Sequence, residues 1–150
     1  MEEEYQGPAE HIRKMNEVEE WFQNEHSKVM ESLGVSFAFG EEQLAVYKQQ
    51  QRAKGYQGEF ISLGYGQICR TDTVANYKKE FNRLMEERKV KMREVISMDQ
   101  LIDYELSNHE CYYTGNYYDW LMVGAVHDIY PEAKTEDFLR VYKENVYKNT

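Results

Sequence analysis

The sequence predicts an α+β fold, predominantly helical, with a small sheet of about three short strands. In several long segments, apolar residues recur at steps of three and four, which is typical of amphipathic helices. Three short runs alternate between polar and apolar residues or are rich in β-branched and aromatic residues, which is typical of strands. A chain of 150 residues has the usual size of one domain, and no linker-like stretch divides it. We therefore expect a single domain over residues 1–150, with residues 1–7 disordered.

The first part of the chain is predicted to contain two helices that flank a strand. One apolar stripe runs from Ile12 to Leu33, and Gly34 follows as a natural helix stop. The run Val35–Phe39 is short, apolar and aromatic, which predicts a strand. Glu41–Lys54 predicts a helix, because acidic residues occupy its first turn and basic residues follow, as the helix dipole favours.

A β-hairpin is predicted next. Glu59–Leu63 has the period of a half-buried strand, and Gln67–Arg70 can return as its partner. Gly64, Tyr65 and Gly66 form the turn between them. These glycines also resemble part of a phosphate-binding loop, but a third glycine, the Lys-Ser/Thr ending and an immediate helix are missing. A hairpin turn explains both glycines through their tolerance of positive φ.

The remaining chain is predicted to be mainly helical. Val74–Val95 shows one broad apolar face, and Ser97 can cap a further helix. We expect His109–Gly115 to be irregular and Tyr117–Tyr130 to be a helix that Pro131 stops. A last helix is expected to begin with Thr135 as its cap.

Charge and cysteine content restrict the classes of partner. The net charge is −9, with acidic residues dominating residues 1–33 and 96–150 and basic residues dominating residues 76–95. Such an acidic chain disfavours nucleic acid and favours a partner with a basic surface. No signal peptide and no membrane-spanning apolar stretch are recognisable, so we expect a cytoplasmic protein with no membrane association. The two cysteines, Cys69 and Cys111, are then expected to be free thiols.

Aromatic residues are concentrated in one segment. Of the 13 tyrosines, four lie within nine residues together with a tryptophan. The cluster consists of Tyr112, Tyr113, Tyr117, Tyr118 and Trp120. Exposed Tyr and Trp side chains are favoured anchors at protein interfaces, so these five are our candidate partner-binding residues. The alternative is that half of them face the core and half face solvent, as in any amphipathic segment.

A carboxylate, an imidazole and a thiol lie close together at the end of a predicted helix. Glu105 and His109 are four residues apart and would share a helix face, and Glu110 and Cys111 follow. These are zinc-ligand types, but the spacing matches no known zinc motif and no second Cys/His pair lies nearby. Nothing supplies an orienting group or an oxyanion hole for a cysteine nucleophile. We therefore expect no metal, no cofactor and no catalytic residue here.

The structural interpretation of this segment is a helix end. Asn108 and His109 would donate side-chain hydrogen bonds to the last carbonyls of the helix, and Cys111 would be a buried thiol.

Three segments together resemble an uncharacterised family of small proteins found in bacteriophages and in gut bacterial genomes. They are VSFAFGEEQ (Val35–Gln43), ISLGYGQIC (Ile61–Cys69) and YELSNHECYYTGNY (Tyr104–Tyr117). The resemblance covers about residues 35–120. The family has no assigned activity, so it transfers no functional residue. It implies a setting, namely a phage or mobile-element accessory protein inside a bacterial host cell.

Two functions of different classes follow as expectations. The first is a non-enzymatic binding or regulatory protein that binds and modulates a host protein, for example a defence factor. The alternative is a site for a small, nucleotide-type ligand formed by Gly64, Tyr65 and Gly66 together with His109 and Glu110, if these residues are adjacent in space.

Overall fold

A computed structural model describes residues 9–148 of the chain. This part contains seven α-helices, three short strands and a final 3-10 turn. In chain order they are α1 (Glu10–Leu33), β1 (Ser36–Phe37), α2 (Glu41–Ala53), β2 (Phe60–Gly64), β3 (Gln67–Arg70), α3 (Val74–Val95), α4 (Met98–Asn108), α5 (Cys111–Thr114), α6 (Trp120–His127), α7 (Thr135–Asn145) and the 3-10 turn Val146–Lys148. The predicted fold class is confirmed. Residues 1–7, which we expected to be disordered, lie outside the described part.

The described chain divides into two compact units. The first contains the residues up to Val18 together with those from Arg88 onwards, and the second is Glu19–Glu87. Helices α1 and α3 contribute residues to both units. The number of independently unfolding domains stays a prediction.

The first unit is all-helical, and α4 packs against both α6 and α7. Its core is formed by apolar side chains such as Leu106, Met122 and Phe138, which are fully buried. The predicted cap of α4 is confirmed: Ser97 Oγ accepts from the Gln100 N–H at 3.1 Å, and Gln100 Oε1 accepts from the Ser97 N–H at 3.0 Å.

The second unit contains an antiparallel sheet in the order β1-β3-β2. Strand β3 has the predicted bounds, and β2 begins one residue later than predicted. Buried Val35, Cys69 and Tyr77 form a small core beneath this sheet.

Strand β1 is shorter than the predicted Val35–Phe39, and backbone groups at both of its ends bond to neighbouring elements. The Val35 N–H donates to the Met30 carbonyl at 2.8 Å, at the end of α1. The Phe39 N–H donates to Gln43 Oε1 at 2.8 Å, at the start of α2. Ser36 and Phe37 pair with β3, and beyond them the Ala38 N–H donates to the Gly66 carbonyl of the hairpin turn.

Three predictions for the chain after α4 are corrected. The segment expected to be irregular contains the short helix α5. Helix α6 begins at Trp120 and not at Tyr117, because Asp119 Oδ1 accepts from the Leu121 N–H and so caps it there. In α7, Thr135 is the first helical residue and not the cap; the Asp137 carboxylate accepts instead from the Lys134 N–H at 2.8 Å.

None of the described helices combines the length with the apolar character needed to cross a membrane.

Candidate functional site

The aromatic segment of the first unit is partly exposed. Tyr113 is 85% exposed and Trp120 is 78% exposed. Tyr118 and Leu121 are less exposed, at 44% and 51%. Tyr117 is half-buried. Three of the five predicted anchors can therefore meet a partner without a change of conformation.

Tyr112 is not one of them, and its prediction as an anchor is corrected. Its side chain is buried, and its hydroxyl donates to Asp103 Oδ1 at 2.6 Å. Its ring stacks on Tyr142 with the centroids 5.6 Å apart, and the ring of Tyr117 packs on the same tyrosine at 5.8 Å. Burial and the Asp103 carboxylate raise the pKa of the Tyr112 hydroxyl, so it stays a donor. Tyr112 therefore packs inside the first unit and is not exposed to a partner.

Local backbone geometry fixes the direction of the exposed rings. Glu110 and Gly115, at the two ends of α5, both adopt left-handed conformations, with φ of 57° and 79°. These turns face Tyr112 inward and Tyr113 outward. Tyr118 is held with its ring edge-on to buried Phe138, at 5.5 Å between centroids.

A shallow concavity of about 310 Å³ opens beside the most exposed tyrosine. Ser107, Glu110, Tyr112 and Tyr113 line it. It offers one carboxylate, from Glu110, and one exposed phenol ring, from Tyr113.

Glu105 and His109 form a pair, as their spacing on a helix predicted. His109 Nε2 lies 3.2 Å from Glu105 Oε2, and the Asn108 side chain also hydrogen-bonds this carboxylate. Burial raises the pKa of Glu105, although its contact with His109 acts in the opposite direction. The predicted side-chain bonds from Asn108 and His109 to the last carbonyls are therefore wrong. Backbone N–H groups meet those carbonyls, for example His109 N–H to Glu105 O at 3.0 Å.

Both cysteines are free thiols and Cys111 is buried, as predicted; Cys69 is buried as well. Burial raises the pKa of Cys111 and of Cys69, which keeps each as a thiol at neutral pH. A thiol is a poor nucleophile and a poor metal ligand. Among residues 9–148, no group of three His, Cys, Asp or Glu side chains is arranged to hold a metal ion.

The glycine hairpin lies in the second unit. Tyr65 at its tip is 98% exposed and has a positive φ of 51°, and Gly66 follows with φ of 81°. The hairpin residues of the alternative ligand site therefore belong to one unit, whereas His109 and Glu110 belong to the other. A ligand site shared by the two sets stays a prediction.

A cleft between β1 and α2 in the second unit escaped the sequence analysis. Phe37 and Phe39 stack beside it, with an interplanar angle of 5°, and both are largely exposed. Gln51 of α2 is buried, and its amide oxygen has no hydrogen-bond partner within residues 9–148. The alternation of Phe37, Ala38 and Phe39 is visible in the sequence, but nothing there distinguishes Gln51 from its neighbours Gln49 and Gln50.

Comparison with curated proteins and with solved structures gives no match to the chain. The sequence model of a protein family matches residues 18–144, which is most of the chain. This agrees with the expected membership of an uncharacterised family. The chain thus belongs to the family described as a family of unknown function, DUF7659.

Proposed function

We propose that the protein is a non-enzymatic binding protein that modulates another protein through the aromatic surface of its first unit. Tyr113, Tyr118 and Trp120 are its anchors. The observation that carries the proposal is the high exposure of Tyr113 and Trp120 within eight residues of chain, at 85% and 78%. Indole and phenol rings that are exposed to water in the free protein gain favourable free energy when a partner buries them.

Part of the aromatic surface is restrained before binding, which supports this role. Asp119 caps α6 and fixes the backbone of Trp120, and the contact with Phe138 restrains the ring of Tyr118. A ring that is already restrained, as that of Tyr118 is, loses little conformational entropy when a partner docks.

The setting of the proposal is a phage or mobile-element accessory protein in the cytoplasm of a bacterial host, acting on a host factor. This setting rests on the resemblance of the three sequence segments. The net charge of −9 favours a host protein with a basic surface around the aromatic contact.

Site-specific crosslinking tests the proposal. A photoreactive phenylalanine analogue replaces Tyr113, Trp120 or Tyr147 in separate variants, which are irradiated in bacterial cells. Tyr147 is the matched control, because it lies in the same unit and is 88% exposed but falls outside the cluster. We expect the same host protein to be captured from positions 113 and 120 and not from position 147.

Affinity for the captured protein gives the second readout. Tyr113→Ala and Trp120→Ala should each weaken binding by about tenfold or more, as interface anchors do. Tyr147→Ala should leave the affinity unchanged. Equal capture from all three positions, or unchanged affinity in the first two variants, would show that the aromatic surface is not an interface.

A further inference from the structure

Strand β1 leaves one edge of the sheet open. It pairs only with β3, since the strand order is β1-β3-β2. Ala38 N–H donates to the Gly66 carbonyl at 2.7 Å, which makes these residues a hydrogen-bonded pair. In an antiparallel ladder such pairs alternate with pairs that share no hydrogen bond, and the neighbouring pair is Phe37 and Gln67. The N–H and C=O of Phe37 therefore point away from β3, and they have no partner within residues 9–148.

The cleft beside this open edge is long enough for an extended segment. Two overlapping concavities, of about 370 Å³ and about 430 Å³, form it. They share Ser36 and Phe37 of β1 with Tyr47 and Gln50 of α2, so they are continuous along the strand. Val46 of α2 is half-exposed on the wall of the second concavity.

Gln51 lines the floor of the first concavity, and only 4% of it is exposed. Its amide oxygen lies beneath Gly34, where a Cβ would be 2.7 Å from Gln51 Oε1. The oxygen is therefore covered, and the groups that a bound backbone can pair with are the N–H and C=O of Phe37.

The charges that line the cleft favour a basic occupant. Glu31 lines the first concavity and Glu42 the second, whereas Lys54 is the one cation among the residues that line them. Neither glutamate forms an ion pair with another described residue. A Lys or Arg side chain of a bound segment can pair with them.

We propose that the cleft between β1 and α2 binds an extended, basic segment of a partner protein, which adds to the sheet as a new strand beside β1. Main-chain bonds to Phe37 supply affinity, and the carboxylates of Glu31 and Glu42 select a basic sequence. This surface belongs to the second unit and is independent of the aromatic surface proposed above.

A displayed library of random peptides supplies the probe. Peptides of about eight residues, the length of an ordinary strand, are selected on the full chain, and the most enriched one is labelled with fluorescein. Its affinity is measured by fluorescence anisotropy. Val46→Arg fills the cleft and should weaken binding by about tenfold or more. Ile61→Arg is the matched control, a similarly exposed position on the opposite edge strand β2, and should bind as the wild type does.

Proline variants test the main-chain bond. Phe37→Pro removes the outward N–H without removing a ladder bond, and Phe37→Ala removes the ring alone. We expect Phe37→Pro to bind about tenfold more weakly than Phe37→Ala. Ser62→Pro removes the corresponding outward N–H on β2, where Ser62 faces Ile68 in a pair without hydrogen bonds, and should bind normally.

Val46→Arg keeps the test decisive if a proline variant fails to fold, because it leaves the backbone of β1 unchanged. Failure to enrich any binding peptide, or a Val46→Arg protein that binds as the wild type does, would overturn the proposal. Tyr113→Ala should not change peptide affinity, so this surface and the aromatic one are tested separately.

Discussion

At the scale of single residues, the second unit contains a hydrogen-bond chain that ends on a histidine. Gln67 Nε2 donates to the Tyr77 hydroxyl at 2.8 Å, and this hydroxyl shares a hydrogen bond of 2.8 Å with His26 Nε2. Burial lowers the pKa of His26, so the folded chain favours its neutral form.

The pH dependence of stability should reveal this histidine. Because its pKa is lower in the folded state, the unfolded chain binds a proton first as the pH falls below the ordinary value of 6.5. The stabilisation is present above that pH and is lost as the pH falls through the folded-state pKa. We expect the wild type to lose more stability than His26→Gln between about pH 8 and about pH 5, measured by urea unfolding. Gln can still accept from Tyr77.

His11→Gln provides the control, since it removes another histidine of α1. It should retain the pH dependence of the wild type. An equal loss of stability in the wild type and in His26→Gln would show that folding does not lower the pKa of His26.

Single-residue environments were the least predictable part of the site. The contact of His109 with Glu105 follows from their spacing of four on a helix, which is a local property. Whether Tyr112 or Tyr113 faces the core depends on the left-handed turn at Glu110, and Glu is not a residue type that indicates such a turn. The sequence therefore indicated the aromatic segment but not which rings are exposed.

At the scale of elements, local sequence patterns predicted a helix or hairpin well where its backbone hydrogen bonds lie within the same element. The hairpin of β2 and β3 lies where the glycines and the alternation of polar and apolar residues predicted it, and α3 has the predicted bounds. Two boundaries were predicted wrongly, because each depends on a contact that the local pattern does not show. Strand β1 ends at Phe37, since its partner β3 begins at Gln67, directly after the hairpin turn. Helix α6 begins at Trp120, because the Asp119 side chain accepts from the Leu121 N–H and caps it there.

The hairpin turn supports a prediction about its stability. Tyr65 and Gly66 are the two central residues, and both have positive φ, as a type I′ turn requires. Asn-Gly is the preferred pair at these positions, whereas a tyrosine there is strained. Tyr65→Asn should therefore raise the free energy of unfolding by about 0.5–1 kcal/mol, measured by urea unfolding. Ser62→Asn, at an extended position of the same hairpin, should give no such gain; if both changes stabilise equally, backbone strain at Tyr65 is not the cause.

At the scale of the whole molecule, periodicity predicted the fold class but not the division into two units. The apolar stripe from Ile12 to Leu33 is continuous in the sequence. In the structure, Met15 and Val18 belong to the core of the first unit, whereas Met30 and Leu33 pack against the core of the second. Periodicity shows which face of a helix is buried, but it does not show which partners cover that face.

The two tryptophans allow the single-domain prediction to be tested, because Trp21 lies in the second unit and Trp120 in the first. Trp120→Phe leaves a reporter of the second unit, and Trp21→Phe leaves a reporter of the first. We expect both variants to unfold in urea at one midpoint, shared by fluorescence and far-UV circular dichroism, because α1 and α3 each contribute side chains to both units. Loss of either core would remove tertiary packing from helices on which the other depends. Urea is the suitable denaturant, since a salt such as guanidinium chloride would also screen the net charge of −9. Separate midpoints for the two reporters would establish two independently unfolding domains instead. Both midpoints should then also be seen in the wild type, which has both tryptophans.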